Sequence, residues 1–261
     1  MTRMTRHLPL EAIENFRDYG DYPTSAGRRV HKGRLWRSAA HAKASDADLE
    51  ALAGLGLAVI VDLRRKPERL RAPSRRHAGF AALVIENDRD DPRQDPWIDF
   101  IRSGPITEET TRAYMRGYAA AAPFEPAHVE LYGRYFAALA EADGPVLIHC
   151  AAGKDRTGIL AALTHHLLGV HADDMVADYL LTNQFARRPE RLAEAARAIE
   201  AASGRAPAPG AVSAAMGVDA EYLDAAFTAI KGAHGSLDGY LADALGVDAA
   251  RKAAIEARLL A

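Results

Sequence analysis

The chain has a single cysteine, almost no net charge and no apolar run long enough to cross a membrane. One cysteine excludes an internal disulfide and any metal site built from several thiolates. A net charge of −2 gives no overall reason to expect nucleic acid or an anionic membrane as a partner, so any anion must bind locally. The start of the chain lacks the apolar stretch of a secretory signal. We therefore expect a cytoplasmic protein, with leaderless secretion left open.

Of its 261 residues, 49% are hydrophobic and 26% charged, which is enough to bury a sizeable core. Strand and helix patterns alternate up to about residue 148, and the later segments are all helical. This order predicts an α/β fold with a central, mostly parallel sheet flanked by helices and a helical C-terminal elaboration. We expect a single domain over 1–261, with a helical insertion or lid near 171–203 and C-terminal helices over 219–260.

Hydrophobic periodicity and turn residues predict the individual elements. Strand patterns occupy 15–20, 30–38, 57–63, 81–85 and 146–148. Helical patterns occupy 45–56, 107–121, 125–142, 158–168, 171–185, 189–202, 219–231, 236–244 and 247–260. The acidic, proline-punctuated segment 86–96 predicts a loop, and the Pro- and Gly-rich segment 203–210 predicts a linker.

The segment with the clearest chemistry is HCAAGKDRTG, residues 149–158, between a short buried strand and a helix. Amide groups at a helix start, with the positive end of the helix dipole, bind a phosphate dianion. Five residues separate Cys150 from Arg156, so the loop curls once around a tetrahedral anion and returns a guanidinium to the same oxygens. Close backbone approach requires the small side chains of Ala151, Ala152 and Gly153.

A thiol in this loop is placed to act as a nucleophile. The helix N-terminus, Arg156 and Lys154 all favour the Cys150 thiolate, whereas a lone cysteine in another setting is commonly a small buried hydrophobe. Thr157 could stabilise the sulfur as a leaving group, and His149 is expected to order the loop. The motif predicts a phosphatase P-loop that hydrolyses phosphomonoesters through a cysteinyl-phosphate, with no metal and no cofactor.

The leaving group needs a proton and the second step needs a base, and one carboxylic acid can serve both. Asp155 lies within the motif, although a carboxylate there also complements a helix dipole. The alternative is a mobile acidic loop that carries Asp88, Asp90, Asp91 and Asp95. We favour Asp155 because the motif fixes its position.

Other charged residues have two interpretations each. Lys154 either contacts the phosphate or a second anionic group of the substrate, or faces solvent as a simple charge. Asp62, Arg64 and Glu68 follow a central strand, where α/β sheets place functional groups, so they either brace the phosphate loop or form an ordinary turn and helix start. We favour the supporting role for these three residues.

The motif resembles the signature of the cysteine-based protein tyrosine phosphatases, in the bacterial group typified by the mycobacterial secreted protein tyrosine phosphatase B. Further segments are similar to that group in the same order: Asn15–Asp18, Gly33–Ser38, Asp62–Arg64 with Glu68, Asp178–Asn183, and Gly235–Leu237 with Tyr240. The resemblance implies a single phosphatase domain that takes phosphotyrosine, phosphoserine or phosphothreonine and phosphoinositides. It also favours Asp155 as the acid.

The expected partners are a phosphorylated protein or a phosphoinositide, and phosphate or sulfate is expected to occupy the loop. The main rival is a phospho-ligand binding module that has lost catalysis. Binding alone could dispense with the thiol, so the presence of Cys150 beside Asp155, Arg156 and Thr157 argues against that alternative.

Overall fold

The computed structural model describes residues 6–89 and 96–261. Its sheet has five strands in the order β1-β2-β5-β3-β4, and all neighbours run parallel except β1 and β2. The strands are β1 (Arg17–Asp18), β2 (Leu35–Ser38), β3 (Val59–Asp62), β4 (Leu83–Ile85) and β5 (Val146–His149). The predicted α/β fold with a central, mostly parallel sheet is confirmed.

Thirteen α-helices and one short 3₁₀ helix, Ala122–Phe124, accompany the sheet in the described residues. The helices are α1 (Asp46–Gly54), α2 (Lys66–Arg71), α3 (Pro96–Ser103), α4 (Glu108–Ala121), α5 (Pro126–Glu141), α6 (Asp155–Leu167), α7 (Ala172–Leu180), α8 (Asn183–Ala186), α9 (Pro189–Ser203), α10 (Pro209–Met216), α11 (Ala220–His234), α12 (Leu237–Asp243) and α13 (Ala249–Leu259).

Strands β3 and β5 are buried along their whole length, including the polar Asp62 and His149 that end them, and the apolar runs before these two residues predict this burial. Side chains alternate between the two faces of a strand. Ile60 and Leu147 therefore join a small core on one face, together with α1. Val61 and Ile148 join the large core on the other face, which also contains Cys150.

Three helices were not predicted from the sequence. Helix α2 is short and charged, and α3 begins at Pro96, where the acidic segment ends. Helix α10 begins at Pro209, inside the predicted linker. Proline lies in the first turn of all three, as the first residue of α3 and α10 and the second of α2, because its missing N–H is not needed there. Helix α6 also begins at Asp155, three residues before its predicted start.

The large core includes residues from Tyr19 to Leu260, so the C-terminal helices pack on the same hydrophobic centre as the sheet. This supports the expected single domain, which stays a prediction. A third core joins Ile101 of α3, Ile199 of α9 and Val212 of α10. No helix in the described ranges combines the length and apolar character needed to span a bilayer.

Candidate active site

The loop 149–158 leaves the end of β5, in the middle of the sheet, and enters α6. This is the strand-to-helix junction predicted from the sequence, at the sheet edge where open α/β proteins bind ligands. Within the described parts of the chain, no hydrogen bond is donated by the backbone N–H groups of 151–156. These amides are free to donate to an anion that sits at the start of α6.

Gly153 lets the loop approach the neighbouring strand. Its φ of 67° lies in the left-handed region, and an added Cβ would overlap the carbonyl oxygen of Ser38. Ala151 and Ala152 are exposed, and the Ala151 carbonyl accepts from the amide of Ala40 at 3.0 Å. Gly153 therefore serves the backbone path of the loop, and the role of Ala151 and Ala152 in close approach to an anion stays a prediction.

Arg156 is held by Glu68, whose carboxylate accepts from Nη1 at 2.7 Å and from Nη2 at 2.9 Å. The second hydrogen of Nη1 points to the Leu63 carbonyl at 3.1 Å. A guanidinium has five N–H donors in fixed directions, so Nε–H and one Nη2–H are left on a single edge. That edge is a ready fork for two phosphate oxygens.

Electrostatics keep both partners charged. Burial opposes ionisation of Glu68, but its hydrogen bonds from Arg156 outweigh burial and lower its pKa to about 2. Burial likewise opposes the charge of Arg156, yet Tyr118, Glu68 and Cys150 hold its pKa well above the usual value.

Cys150 is only 2% exposed and lies at the base of the loop. Thr157 is completely buried, and its hydroxyl has no hydrogen-bond partner in the described residues. The hydrogen bond expected from Thr157 to the sulfur is thus not formed here. The hydroxyl stays available to the loop.

His149 lies on the opposite face of the sheet from Cys150, with its Nε2 3.6 Å from Asp62. Its ring stacks on His41 with centroids 4.6 Å apart. Burial lowers the pKa of both imidazoles, and Asp62 only partly counteracts this for His149. The lowered pKa of each imidazole fits an ordering role for His149 and not proton transfer.

Asp62 and Arg64 form a nearly buried pair, with Nη2 at 2.6 Å and Nε at 2.9 Å from the carboxylate. Burial opposes the charge on Asp62, but His149 and Arg64 lower its pKa below the usual range. Arg64 also donates to the Ala72 carbonyl and the Ser74 hydroxyl. Of Asp62, Arg64 and Glu68, only Glu68 contacts Arg156 directly. Asp62 lies beside His149, and Arg64 pairs with Asp62.

Lys154 and Asp155 stand where α6 starts, with Nζ 3.4 Å from the carboxylate. Lys154 also donates to the carbonyls of Ala215 and Gly217 at the end of α10. It thereby ties the loop to α10 and does not face open solvent. Asp88 instead pairs with Arg69 at 2.6 Å. The other acidic-loop candidates, Asp90, Asp91 and Asp95, lie outside the described residues.

A buried charged network holds the back of the loop. The Gly153 carbonyl accepts from Asn15 at 2.8 Å and from Arg37 at 3.0 Å. Arg37 in turn pairs with Asp178 at 2.7 Å, and Arg17 pairs with the same carboxylate at 3.2 Å. Burial opposes the charge on Asp178, but the two arginines hold its pKa well below the usual range. These residues lie in segments that carry the family resemblance of the sequence, but the resemblance did not assign them to support of the loop.

A cavity of about 1080 Å³ opens over the loop, and Lys154, Asp155 and Arg156 line its base. Its walls are largely apolar and come from α3, α4, α5 and α9. Arginines 64, 65, 89 and 191 contribute cationic groups. The predicted lid region 171–203 therefore supplies one wall of this cavity through α9.

Sequence reasoning missed three residues around Arg156. Tyr118 lines the cavity, and burial raises the pKa of its phenol. Tyr132 donates to the Arg156 carbonyl at 3.1 Å. Burial and the charge of Arg156 lower the pKa of His128 to about 4, although its Nδ1 lies 2.8 Å from the Ala122 carbonyl. All three lie on helices α4 and α5, whose sequences carry only a core periodicity as a signal.

Comparison with known proteins agrees with this geometry. A model of the tyrosine phosphatase family matches residues 8–261. A candidate tyrosine-protein phosphatase of Cupriavidus necator is 38% identical over 94% of this chain and 87% of its own length. The triple specificity protein phosphatase PtpB of Mycobacterium tuberculosis is 33% identical over 92% and 93%. A tyrosine-protein phosphatase of Nostoc commune is 29% identical over 57% and 48%.

The resemblance seen in the sequence is confirmed, and nothing in these comparisons favours a module that has lost catalysis. Family, fold and loop agree: this chain is a cysteine-dependent phosphatase that belongs to the tyrosine phosphatase family.

Proposed function

We propose that the chain hydrolyses phosphotyrosine and related phosphomonoesters at the loop 149–158, with Cys150 as nucleophile and Asp155 as acid and base. One observation carries this proposal. The unused amides of 151–156 and the open edge of Arg156 belong to one loop, and together they match the oxygens of a phosphoryl group. Phosphate or sulfate is the simplest occupant of that ring of donors.

In the first step, the Cys150 thiolate attacks phosphorus and an S–P bond forms while the P–O bond to the leaving group breaks. Asp155 gives its proton to the departing oxygen. The loop amides and Arg156 take up the charge on the three equatorial oxygens, which shift toward a plane as the bonds exchange. The products are the free alcohol or phenol and a cysteinyl-phosphate.

In the second step, the Asp155 carboxylate accepts a proton from water as that water attacks phosphorus. The S–P bond breaks, inorganic phosphate leaves and the thiolate returns. Thr157 is buried beside Arg156, and its hydroxyl has no partner among the residues that the structure describes, so it can donate to the sulfur as its charge develops. Each residue is then back in its starting protonation state.

The position of Asp155 supports its choice as the acid. It lines the base of the cavity and is separated from Arg156 by one peptide bond. Its neighbour Lys154, whose Nζ lies 3.4 Å from the carboxylate, holds the Asp155 side chain at the start of α6. Asp88, in contrast, is turned to Arg69 and is not among the residues that line the cavity.

The cavity supports an aromatic phosphomonoester as substrate. Trp97, Tyr114, Tyr118 and Met115 line it, and a phenyl ring packs well on such side chains. The cavity is also far larger than one tyrosine side chain, and arginines lie along its walls. These cations support a second candidate activity on phosphoinositides, and phosphoserine and phosphothreonine peptides complete the substrate range that we propose.

The test is hydrolysis of p-nitrophenyl phosphate in the presence of EDTA. We expect the wild type to turn over and Cys150→Ser to bind phosphate without turnover. Loss of activity in EDTA, or activity retained by Cys150→Ser, would contradict the thiol mechanism. Values of kcat/KM for phosphopeptides and phosphoinositides then rank the substrates. The cytoplasmic location expected from the sequence stays a prediction.

A further inference from the structure

A second cavity, of about 250 Å³, lies away from the catalytic loop. Leu49 and Leu52 of α1, Ile60 of β3 and Phe80 form its apolar wall. Ile60 belongs to the small core on one face of the sheet, whereas Cys150 belongs to the large core on the other face. The cavity is therefore separated from the substrate cavity by the sheet.

Arg76 lines this cavity without a carboxylate partner within the described residues. Its half-buried guanidinium lies 5.0 Å from the centre of the Phe80 ring and donates to His41 Nδ1 at 3.4 Å. The two carboxylates that act on it from a distance are already paired, Asp62 with Arg64 and Glu86 with Arg69. A partly buried arginine without its own anion is uncommon and favours binding one.

The other charged residue that lines this cavity is also cationic. Arg75 also borders the cavity, but its charge is paired with Asp46 at 2.7 Å. Among the residues described, no aspartate or glutamate lines the cavity. Its chemistry is thus an apolar wall with one uncompensated cation.

We infer that this second cavity binds a small carboxylate with a compact apolar body, whose two oxygens accept from Arg76 while the body packs against Leu52, Ile60 and Phe80. A planar guanidinium pairs with a carboxylate in a fork. A cavity of about 150 Å³ holds benzene, so 250 Å³ has room for a ring with one attached carboxylate. Benzoate is the matching probe.

The cavity has a route to the catalytic loop. Arg76 donates to His41, and His41 Nε2 lies 3.0 Å from the Ser38 hydroxyl. The ring of His41 stacks on His149, the residue before Cys150. Nη1 is the atom of Arg76 that contacts His41, and it also donates to the Arg75 carbonyl at 3.3 Å. A carboxylate that accepts from Nη1 and Nη2 therefore competes for the bond to His41 and disturbs this stack. Bound ligand should therefore lower kcat by roughly fivefold without raising KM, an effect that rests on the proposed function.

Binding is tested by calorimetry with benzoate and the full-length chain, with and without saturating inorganic phosphate. We expect saturable binding that phosphate does not displace. Arg76→Gln should raise Kd at least tenfold, and Arg75→Gln, its paired neighbour, by less than threefold. Benzamide, which has the same shape without the charge, should bind at least tenfold more weakly to the wild type, and this control needs no variant.

The inference is overturned if benzoate gives no saturable heat at millimolar concentrations, if phosphate displaces it, or if Arg76→Gln binds it as the wild type does. Cys150→Ser should bind benzoate normally, so the site is tested even if the catalytic proposal fails. With p-nitrophenyl phosphate as substrate, benzoate that acts on KM alone would place it in the catalytic cavity and contradict the coupling.

Discussion

Glu68 holds the terminal edge of the Arg156 guanidinium at 2.7 and 2.9 Å and leaves the side edge, Nε and one hydrogen of Nη2, unused. This pair joins α2 to α6 across 88 residues of sequence. The arginine is thereby oriented before any anion arrives, and preorganisation of this kind saves the cost of ordering during the reaction.

Replacing Glu68 with Gln should lower kcat/KM for p-nitrophenyl phosphate by roughly ten- to a hundredfold, since the amide accepts only one of the two hydrogen bonds and carries no charge. Glu86→Gln is the control, because Glu86 is exposed and pairs with Arg69 away from the loop. If the two variants had equal kcat/KM, Glu68 would not position Arg156.

Gly153→Ala tests the backbone path of the loop. An added Cβ would overlap the Ser38 carbonyl, and the φ of 67° strains any other residue. We expect loss of phosphate binding in calorimetry and a clear fall in Tm. Gly204→Ala is matched, because its φ of 71° is similar but nothing lies within 4 Å of its Cβ position. That variant should lose only about 1 kcal/mol of stability and keep activity. If Gly153→Ala and Gly204→Ala lost equal stability and equal phosphate binding, the backbone φ alone, and not the overlap with Ser38, would explain the result.

Asp178→Asn should destabilise the protein by about 3–5 kcal/mol, because it leaves the buried guanidinium groups of Arg17 and Arg37 without their anion. Urea denaturation measures this loss. Asp173→Asn, on the same helix but with an exposed carboxylate, should change stability by less than about 0.5 kcal/mol. A small effect at Asp178 would contradict a stabilising role for this network.

The fold and the loop could be predicted from the sequence because their signals are local. Most of β3 and β5 consists of the continuous apolar runs Val59–Val61 and Val146–Ile148, and the spacing of Cys150 and Arg156 defines a loop by itself. The position of Glu68 after a central strand indicated a supporting role, but not its partner. A pair separated by 88 residues leaves no periodic trace in one sequence.

Other parts of the site could not be predicted from the sequence, because no local pattern marks them. Tyr118 and His128 lie on helices with an ordinary core pattern, and only packing turns them toward Arg156. Helix α10 was hidden because Pro209 and Gly210 are typical of a linker, while burial of Ala211 and Val212 stabilises the helix in the folded chain. The sequence allowed Lys154 to contact an anion or to face solvent. Its contacts with α10 could not be predicted because that helix was not predicted.

Asp155→Asn should lower kcat more for a poor leaving group than for a good one, because only the poor one needs the proton. The comparison is phenyl phosphate against p-nitrophenyl phosphate, and we expect a loss at least tenfold larger for phenyl phosphate. Asp88→Asn is the control within the acidic loop. A larger leaving-group effect in Asp88→Asn would move the acid to that loop.

His128 should make the folded state lose stability in mild acid. Burial and Arg156 lower its folded pKa from 6.5 to about 4, so the folded protein resists protonation of this imidazole. Its contribution is complete above the unfolded pKa near 6.5 and is lost as the pH falls from there toward 4, by on the order of 3 kcal/mol. His128→Asn keeps a donor for the Ala122 carbonyl but cannot titrate. Urea unfolding at pH 7.5, 6, 5 and 4 should therefore show a shallower acid loss for His128→Asn than for the wild type or the exposed control His31→Asn, and parallel curves for all three would show that His128 is not the group that titrates.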